Sequence, residues 1–520
     1  MEKIMGSENE LFGVLINYDG EAKGAIFTLP NVSEGYVNLF IAALMHHFEV
    51  ISSNGATIAD CELFDFFTAN GFRVYRDVNH LEVATPECAG ARDLLKWEKA
   101  GERMVARFLK EVNVVIAPQK LFLCKKNCDF GVGAEGHSFG SHESYSARTL
   151  EGIEVLLPFF TSSVIFTGSG HVDAGGRYVL SPRGMLTSLV KETSVQQIKA
   201  MFKDSSANDN DLIDFFAAPQ RLQVVFRDSN MADWSVYLKF GTTAFILRMF
   251  ESGFLRPIKR GQKQIGFCGG RGGDGLIRES EAVKALNLFS GEIGKKRRVS
   301  VVLNGEKKEM SALEIQKLYL GWAEEFASSR GASSLEADVL KKWRFVLEAL
   351  ENDEGVLADK LDWKIKETIL NRFLARRSPS LNLGNYRAAA DAEKLVKRLQ
   401  LRDLLYHSLD EEERGSARRL AESGALERII TDKEIDFALR FPPPNTRARW
   451  RGELIGEISK RRLPLKGVVY NRIEILKRGR ELKKELSADD YLLLYYDKLG
   501  YDEKIFRHHC EKLAELQPDF

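Results

Sequence analysis

Two short stretches of the sequence concentrate carboxylates at spacings that suit metal binding. Glu8 and Glu10 lie two residues apart beside an apolar run, so on a strand both side chains project from one face. A second apolar run ends at Tyr75 and is followed by four titratable residues: Asp77, His80, Glu82 and Glu87. Magnesium prefers hard oxygen ligands and offsets the charge of a nucleotide triphosphate. The pattern predicts a magnesium–nucleotide site on paired strands, and surface carboxylates on an edge strand are the alternative for either pair alone.

A third stretch combines basic residues with glycines. Lys125 and Lys126 end an apolar run, and residues 131–140 then contain four glycines before Ser141, His142 and Glu143. Backbone amides approach a ligand closely where no Cβ intervenes, so a phosphate or metal platform is one interpretation. A flexible hairpin loop is the other. The stretch is not a Walker A motif, because the required Gly-Lys-Ser/Thr is missing.

Short apolar runs and helical periodicities place these stretches on secondary structure. Apolar runs rich in Val, Ile and Phe predict strands at 11–17, 72–75, 113–123, 154–166 and 222–226. Periodicity predicts helices at 34–48, 90–111, 311–328, 335–352 and 358–376. Residues 299–309 read as a hairpin with an Asn-Gly turn. Strands and helices do not alternate strictly, which favours an α+β body with a helical flank.

Composition excludes several classes of protein. The chain has 520 residues, a net charge of +1 and 29% charged residues, so no global field favours nucleic acid or membrane. No apolar run reaches the length of a membrane span. Its six cysteines have no framework spacing and no leader pattern precedes them, which predicts free thiols and a cytoplasmic location.

Seven ordered motifs together resemble one known family. They are GSENE (6–10), YRDVNHLEVATPEC (75–88), KAGER (99–103), GSHE (140–143), DSNM (228–231), YLKFGTT (237–243) and NTRARWRG (445–452). In this order they resemble the family of the Pup ligase and the depupylase (deamidase of Pup), relatives of glutamine synthetase and carboxylate–amine ligases. The resemblance covers most of residues 4–455.

The resemblance implies a fold and its cofactors. It predicts a glutamine-synthetase-like curved antiparallel sheet that cradles ATP and Mg²⁺ and is backed by helices. We expect a catalytic domain over residues 1–420 and a small C-terminal domain over residues 421–520.

The resemblance also assigns roles to individual residues. The magnesium-coordinating positions match Glu8, Tyr75 and Glu82, with Glu10 beside them. Asp77 matches the catalytic aspartate, which acts as base or nucleophile, and His142 lies in the Ser-His-Glu motif of the active-site sheet. The family arginines expected to meet phosphates match Arg221, Arg447 and Arg451.

The implied reaction acts on the C-terminal Gln or Glu side chain of a small ubiquitin-like modifier, with conjugated proteins and, indirectly, the proteasome as partners. A ligase phosphorylates the γ-carboxylate with ATP, and a lysine amine then displaces phosphate. The depupylase instead cleaves the isopeptide bond or deamidates the glutamine with nucleotide as a bound cofactor.

The motifs divide between these two directions. The Asp77-to-His80 spacing and residues 140–142, 167–170 and 237–243 look like the depupylase, which we place first. The ligase is the alternative, because residues 228–231, 362–366 and 446–449 look like that branch.

The sequence also departs from the family pattern. The first motif is one residue longer than usual, and residues 193–220 lack the expected Arg-Asp-Glu-Pro-His stretch. A divergent branch acting on another small protein, and a catalytically inactive modifier-binding protein, therefore remain as further alternatives. Retention of Glu8, Asp77 and Glu82 argues against the inactive protein.

Overall fold

The computed structural model of the chain describes most of its residues. The described ranges are 3–16, 27–28, 50–52, 65–77, 80–128, 138–192, 200–204, 220–255, 265–267, 279–292, 294–461, 463, 465–469, 472–476, 491–496 and 500–516. The predicted helix at 34–48 lies outside them.

A large, mainly antiparallel sheet organises the described residues. Its strands are β1 (Ile4–Ile16), β2 (Phe27–Thr28), β3 (Val50–Ser52), β4 (Asp65–Thr68), β5 (Arg73–Asp77), β6 (His80–Ala84), β7 (Cys88–Ala89), β8 (Lys120–Cys124), β9 (Ser141–Ala147), β12 (Leu189–Glu192), β13 (Ala200–Asp204) and β14 (Gln220–Val224). The order along the sheet is β12-β13-β14-β9-β1-β6-β5-β4-β3, and β2, β7 and β8 also pair with β1. The long strand β1 is therefore the centre of the sheet.

Three smaller sheets accompany the large one. They comprise β10 (His171–Val172) with β11 (Tyr178–Val179), then β15 (Ile265–Phe267), β16 (Arg298–Leu303) and β17 (Glu306–Ser311), and finally β18 (Leu465–Val469), β19 (Arg472–Leu476) and β20 (Tyr491–Tyr495). The predicted hairpin at 299–309 is confirmed as β16–β17. Asn304 in its turn has a φ of 51°, the left-handed conformation that an Asn-Gly turn requires.

The helices pack behind and beside the large sheet. They are α1 (Ala91–Val115), α2 (Leu157–Ser162), α3 (Val164–Thr167), α4 (Pro182–Leu186), α5 (Asp233–Glu251), α6 (Glu279–Ser290), α7 (Ala312–Arg330), α8 (Ser334–Asn352), α9 (Asp362–Arg377), α10 (Ala392–Tyr406), α11 (Ala417–Glu422), α12 (Asp432–Arg440), α13 (Arg447–Arg461) and α14 (Glu503–Ala514). Capping boxes start α7, α8 and α12, each with a Ser or Thr and a Glu three residues later. These helices and the antiparallel sheet confirm the predicted α+β class.

Two of the hydrophobic clusters in the described residues bear on the domain boundary. The larger joins the large sheet to α1, α5, α7 and α8 and still includes Leu439 of α12. The second begins at Trp450 of α13, includes the β18–β20 sheet, and reaches Ile4 and Phe67 of the large sheet. Packing therefore separates a small C-terminal unit between residues 439 and 450, and the boundary at residue 420 stays a prediction.

One strand prediction was wrong, and a second was correct only in part. The run 154–166 forms the short helices α2 and α3, in which Pro158 is the second residue and every apolar side chain from 156 to 166 is buried. A helix that is buried on all sides loses the polar–apolar periodicity that would reveal it. In the run 113–123, the first residues belong to α1 and β8 begins only at Lys120.

Candidate active site

The central strands bring five of the predicted site residues onto one face of the sheet. In the register, Glu8 lies opposite His142 of β9, and Glu10 lies opposite Glu82 of β6. Tyr75 of β5 lies opposite Glu82 in turn. Directly paired residues share a face, so this register gathers the five side chains at the middle of the sheet.

Glu8, Glu82 and His142 form the tightest part of this group. Each offers a ligand atom, and these atoms all lie within 4.8 Å of one another. Glu8 and Glu82 are both buried. Carboxylates placed directly opposite each other, like Glu10 and Glu82, repel unless a cation lies between them. The donor set therefore fits a divalent cation, and the carboxylate oxygens of Glu8 and Glu82 are of the kind that magnesium takes.

Arg221 and Gln223 of β14 hold Glu8 in place. The Nη2 of Arg221 donates to Glu8 Oε1 at 2.6 Å, and the Nε2 of Gln223 donates to Oε2 at 3.1 Å. Burial alone would raise the pKa of Glu8, but the charges of Arg221 and His142 and the hydrogen bond from His142 lower it to about 2. Glu8 is therefore ionised at neutral pH, as a metal ligand must be.

Gly140 allows the two sides of the cluster to approach. A Cβ at this position would lie 2.5 Å from His142 Nε2 and 2.7 Å from Glu10 Oε1. The carbonyl of Gly140 accepts a hydrogen bond from the backbone N–H of Glu10 at 3.1 Å. The glycine at the start of the predicted GSHE motif is thus needed for close packing at the site.

Asp77, the predicted catalytic aspartate, ends β5. It pairs with His80 of β6, two residues along the strand from Tyr75. The side chains of Asp77 and His80 lie outside the described residues, so the role of Asp77 stays a prediction.

Arg447 and Arg451 converge on Glu87. Arg447 Nε lies 2.7 Å from Glu87 Oε1, and Arg451 Nη2 lies 2.7 Å from Oε2, with all three side chains 0% exposed. Burial would raise the pKa of Glu87, but the two guanidinium groups lower it to about 2. These contacts join α13 to the segment before β7. The contact of both arginines with nucleotide phosphates, like that of Arg221, stays a prediction.

Lys125 and Lys126, from the stretch interpreted as either a platform or a loop, both have buried acidic partners. Lys125 Nζ pairs with Glu98 at 2.8 Å and Glu102 at 2.6 Å, and Lys126 Nζ pairs with Asp403 at 2.8 Å. Both lysines therefore contact buried carboxylates, and Asp403 is shared with Lys366. Residues 129–137 of the same stretch lie outside the described residues.

Sequence reasoning missed a polar layer on the opposite face of β1. Glu98 of α1 accepts hydrogen bonds from the Ser7 hydroxyl and from Asn9 Nδ2, the latter at 3.0 Å. Ser141 Oγ donates to Asn9 Oδ1 at 2.9 Å and ties β9 to the same layer. The available signal was that Ser7 and Asn9 are polar at positions where a sheet packed on a helix normally has apolar residues.

The large sheet carries the carboxylate cluster on one face, and α1 packs against the other. This is the arrangement that the sequence predicted for a sheet backed by helices.

The comparisons with known proteins are more specific. The family model described as Pup-ligase protein matches residues 3–468. The chain belongs to this family of Pup ligases and depupylases, which are enzymes.

Relatives on both sides of the family are equally similar. The Pup–protein ligase of Acidimicrobium ferrooxidans is 31% identical over 75% of this chain and 79% of its own length. The Pup deamidase/depupylase of Mycobacterium tuberculosis is 31% identical over 74% of this chain and 70% of its own length. Sequence identity therefore does not separate the two directions.

A solved structure shares the fold. The crystal structure of the complex between the prokaryotic ubiquitin-like protein Pup and its ligase PafA has a TM-score of 0.73 and 21% identity, and covers 99% of this chain and 93% of that chain. This match confirms the predicted glutamine-synthetase-like fold. Among the described residues, no helix combines the length and apolarity that crossing a membrane requires.

Proposed function

We propose that this chain is an ATP- and magnesium-dependent enzyme that acts on the C-terminal glutamine or glutamate of a small ubiquitin-like modifier of the Pup type. The observation that carries the proposal is the cluster of Glu8, Glu82 and His142 on the sheet face of a member of this family. A cation between the buried carboxylates of Glu8 and Glu82 would relieve their mutual repulsion.

Each residue of the site has a separate role in the proposed reaction. Glu8, Tyr75 and Glu82 would hold magnesium, with Glu10 beside them. When bound, magnesium and ATP supply positive charge and phosphate to the site. Arg221 and Gln223 keep Glu8 ionised and fixed, which pre-orients the ligand oxygens. Asp77 acts as base or nucleophile at the side-chain carbonyl of the modifier, and His142 lines the same face.

We place the depupylase direction first. Its resemblance rests on residues 77–80 and 140–142, and His142 and Gly140 lie at the acidic cluster. Cleavage of the isopeptide bond, or deamidation of a C-terminal glutamine, is then the reaction.

The ligase direction is the second candidate. Its resemblance rests partly on residues 228–231 and 362–366, which bond to each other in the interior: Asp362 accepts hydrogen bonds from Asn230 Nδ2 at 3.1 Å and from the backbone N–H of Met231 at 3.0 Å. These contacts stabilise the interior of the protein. They are therefore weaker evidence for the direction of the reaction than the residues at the acidic cluster. An inactive modifier-binding protein is the third candidate.

An activity assay with an aspartate variant tests the proposal. The protein is incubated with ATP, magnesium and a Pup-type modifier ending in Gln, and separately with a modifier–lysine conjugate. We expect ammonia release and conjugate cleavage by the native chain, and a loss of at least about 100-fold in Asp77→Asn. Asp436→Asn is the matched control, because its side chain is 53% exposed on α12, and it should retain full activity.

The products decide between the candidates. Formation of a new lysine conjugate from a modifier ending in Glu, without cleavage of existing conjugates, would assign the ligase direction. Modifier binding without any turnover would leave the inactive binding protein.

A further inference from the structure

Arg183 is a buried cation with an unusual set of partners. It lies on α4 and is 5% exposed. Its Nη1 donates to the Ser138 hydroxyl at 2.6 Å and to the Phe139 carbonyl at 3.3 Å, and its Nη2 donates to the Val225 carbonyl at 2.6 Å. All three acceptors are neutral. They fix the orientation of the guanidinium group without cancelling its charge.

Each of the other buried arginines of the described chain contacts a carboxylate. Arg221 pairs with Glu8, Arg227 with Glu143, and Arg447 and Arg451 with Glu87. By contrast, no carboxylate in the described ranges lies within ion-pair distance of the Arg183 guanidinium. A buried charge without a counter-ion is costly, and proteins normally pair it. Arg183 is therefore an exception that calls for an explanation.

The position of Arg183 explains why it has no carboxylate partner among the described residues. Its acceptor Phe139 immediately precedes Gly140, the glycine that abuts both His142 and Glu10. Burial lowers the pKa of Arg183, while the charges of Glu10 and Asp228 oppose this shift. Arg183 thus lies within electrostatic reach of the acidic cluster, at its β9 side. An arginine remains protonated even when it is buried.

We propose that Arg183 binds an anionic oxygen group of a substrate beside the acidic cluster, and this inference rests on the proposed function. The group is either a phosphate of ATP or a carboxylate of the C-terminal residue of the modifier. Both present the planar or tetrahedral oxygens that a guanidinium binds with charge-assisted hydrogen bonds. A bound anion would supply the counter-charge that the chain itself does not provide.

Equilibrium binding to variants tests this inference without using activity. Calorimetry would measure the affinity of the full-length protein for ATP with magnesium, and for a modifier peptide ending in glutamate against the same peptide ending in glutamine amide. The variants are Arg183→Gln, which removes the charge, and Arg183→Lys, which keeps the charge but loses the fork of donors. Arg177→Gln is the control, since this arginine is 55% exposed on the neighbouring β10–β11 hairpin.

We expect Arg183→Gln to weaken one of the two ligands at least tenfold, with Arg183→Lys intermediate and Arg177→Gln unchanged. Weaker binding of ATP assigns the phosphate, and loss of the preference for the free carboxylate assigns the modifier. Unchanged affinity for both ligands in folded Arg183→Gln would overturn the inference.

If Arg183→Gln does not fold, the test rests on Arg183→Lys. Unchanged affinity of Arg183→Lys for both ligands would then overturn the inference. Failure of the native chain to bind ATP would instead reject the proposed function itself.

Discussion

At the scale of single residues, charge balance explains which side chains are available for chemistry. Glu8 forms an ion pair with Arg221, and Glu10 and Glu82 face each other across β1 and β6. A cation between the facing carboxylates relieves their repulsion. Loss of the Glu82 charge should therefore weaken metal binding more than it lowers the stability of the fold.

Glu82→Gln tests this dependence. The substitution keeps the shape of the side chain and removes one negative charge from the cluster. We expect the affinity for magnesium in the presence of ATP to fall at least about tenfold, with the thermal midpoint unchanged or raised. Calorimetric titration measures the first and thermal unfolding the second. Equal magnesium affinity in the variant would remove Glu82 from the ligand set.

Acid should destabilise the protein through the same ionised glutamates. The pKa of Glu8 in the folded chain is about 2, below its ordinary value of 4.5. A lowered carboxyl pKa contributes stability above the ordinary value, and this contribution is lost as the pH falls from about 4.5 towards 2. Denaturant midpoints measured between pH 7 and pH 3 should therefore fall below pH 5.

The Glu8→Gln variant isolates the contribution of Glu8 to the pH dependence of stability. The variant should be less stable than the native chain at pH 7, because Arg221 loses its charged partner, and the difference should shrink as the pH is lowered. A constant difference across the range would show that Glu8 titrates normally.

At the scale of elements, β1 shows why part of the fold could be predicted and part could not. The apolar run 11–17 predicted only the end of a strand that begins at Ile4. Residues 6–10 carry polar side chains on both faces: Glu8 and Glu10 face the cluster, while Ser7 and Asn9 face Glu98 of α1. Alternation of apolar and polar residues disappears where both faces of a strand have polar partners, so the pattern could not reveal the strand.

The site itself could be predicted further than the fold around it. The spacing of Glu8 and Glu10 and the order of the motifs identified residues that the register then places together. The ion pairs of Lys125, Arg447 and Arg451 could not be predicted, because their partners Glu98 and Glu87 lie on other elements. A basic residue in a motif indicates a charge, and only the fold decides which acid neutralises it.

Gly140→Ala tests the packing between β9 and β1. Its Cβ would contact His142 Nε2 and Glu10 Oε1 at distances that force them apart. We expect weaker magnesium binding with little loss of stability, because the displaced atoms lie at the far ends of flexible side chains. Gly321→Ala on α7 is the control, because no atom lies within 4 Å of its added Cβ, and it should not affect binding. A Gly140→Ala variant with native metal affinity would show that the cluster tolerates displacement.

At the scale of the whole molecule, Glu87 connects the two hydrophobic cores. It lies between β6 and β7 of the large sheet and binds Arg447 and Arg451 at the start of the C-terminal unit. The backbone carbonyl of Glu87 also accepts a hydrogen bond from the Thr446 hydroxyl at 2.7 Å. This buried group is therefore expected to make the two cores unfold together.

Glu87→Gln should destabilise the protein by about 3–5 kcal/mol, because two buried guanidinium groups lose their counter-ion. Glu434→Gln is the control: its ion pair with Arg92 is partly exposed, and its loss should cost about 0–1 kcal/mol. Chemical denaturation followed by far-ultraviolet circular dichroism measures both. Equal stabilities of the two variants would contradict the role assigned to Glu87.

Magnesium-dependent binding of ATP to the native chain is the most direct test of the account. Calorimetric titration of the full-length protein with ATP, in magnesium and then in excess chelator, requires no knowledge of the modifier or of the reaction direction. We expect saturable binding in magnesium that weakens at least tenfold in chelator. A folded protein that binds no ATP at saturating magnesium, or binds it equally well without the metal, would contradict the account.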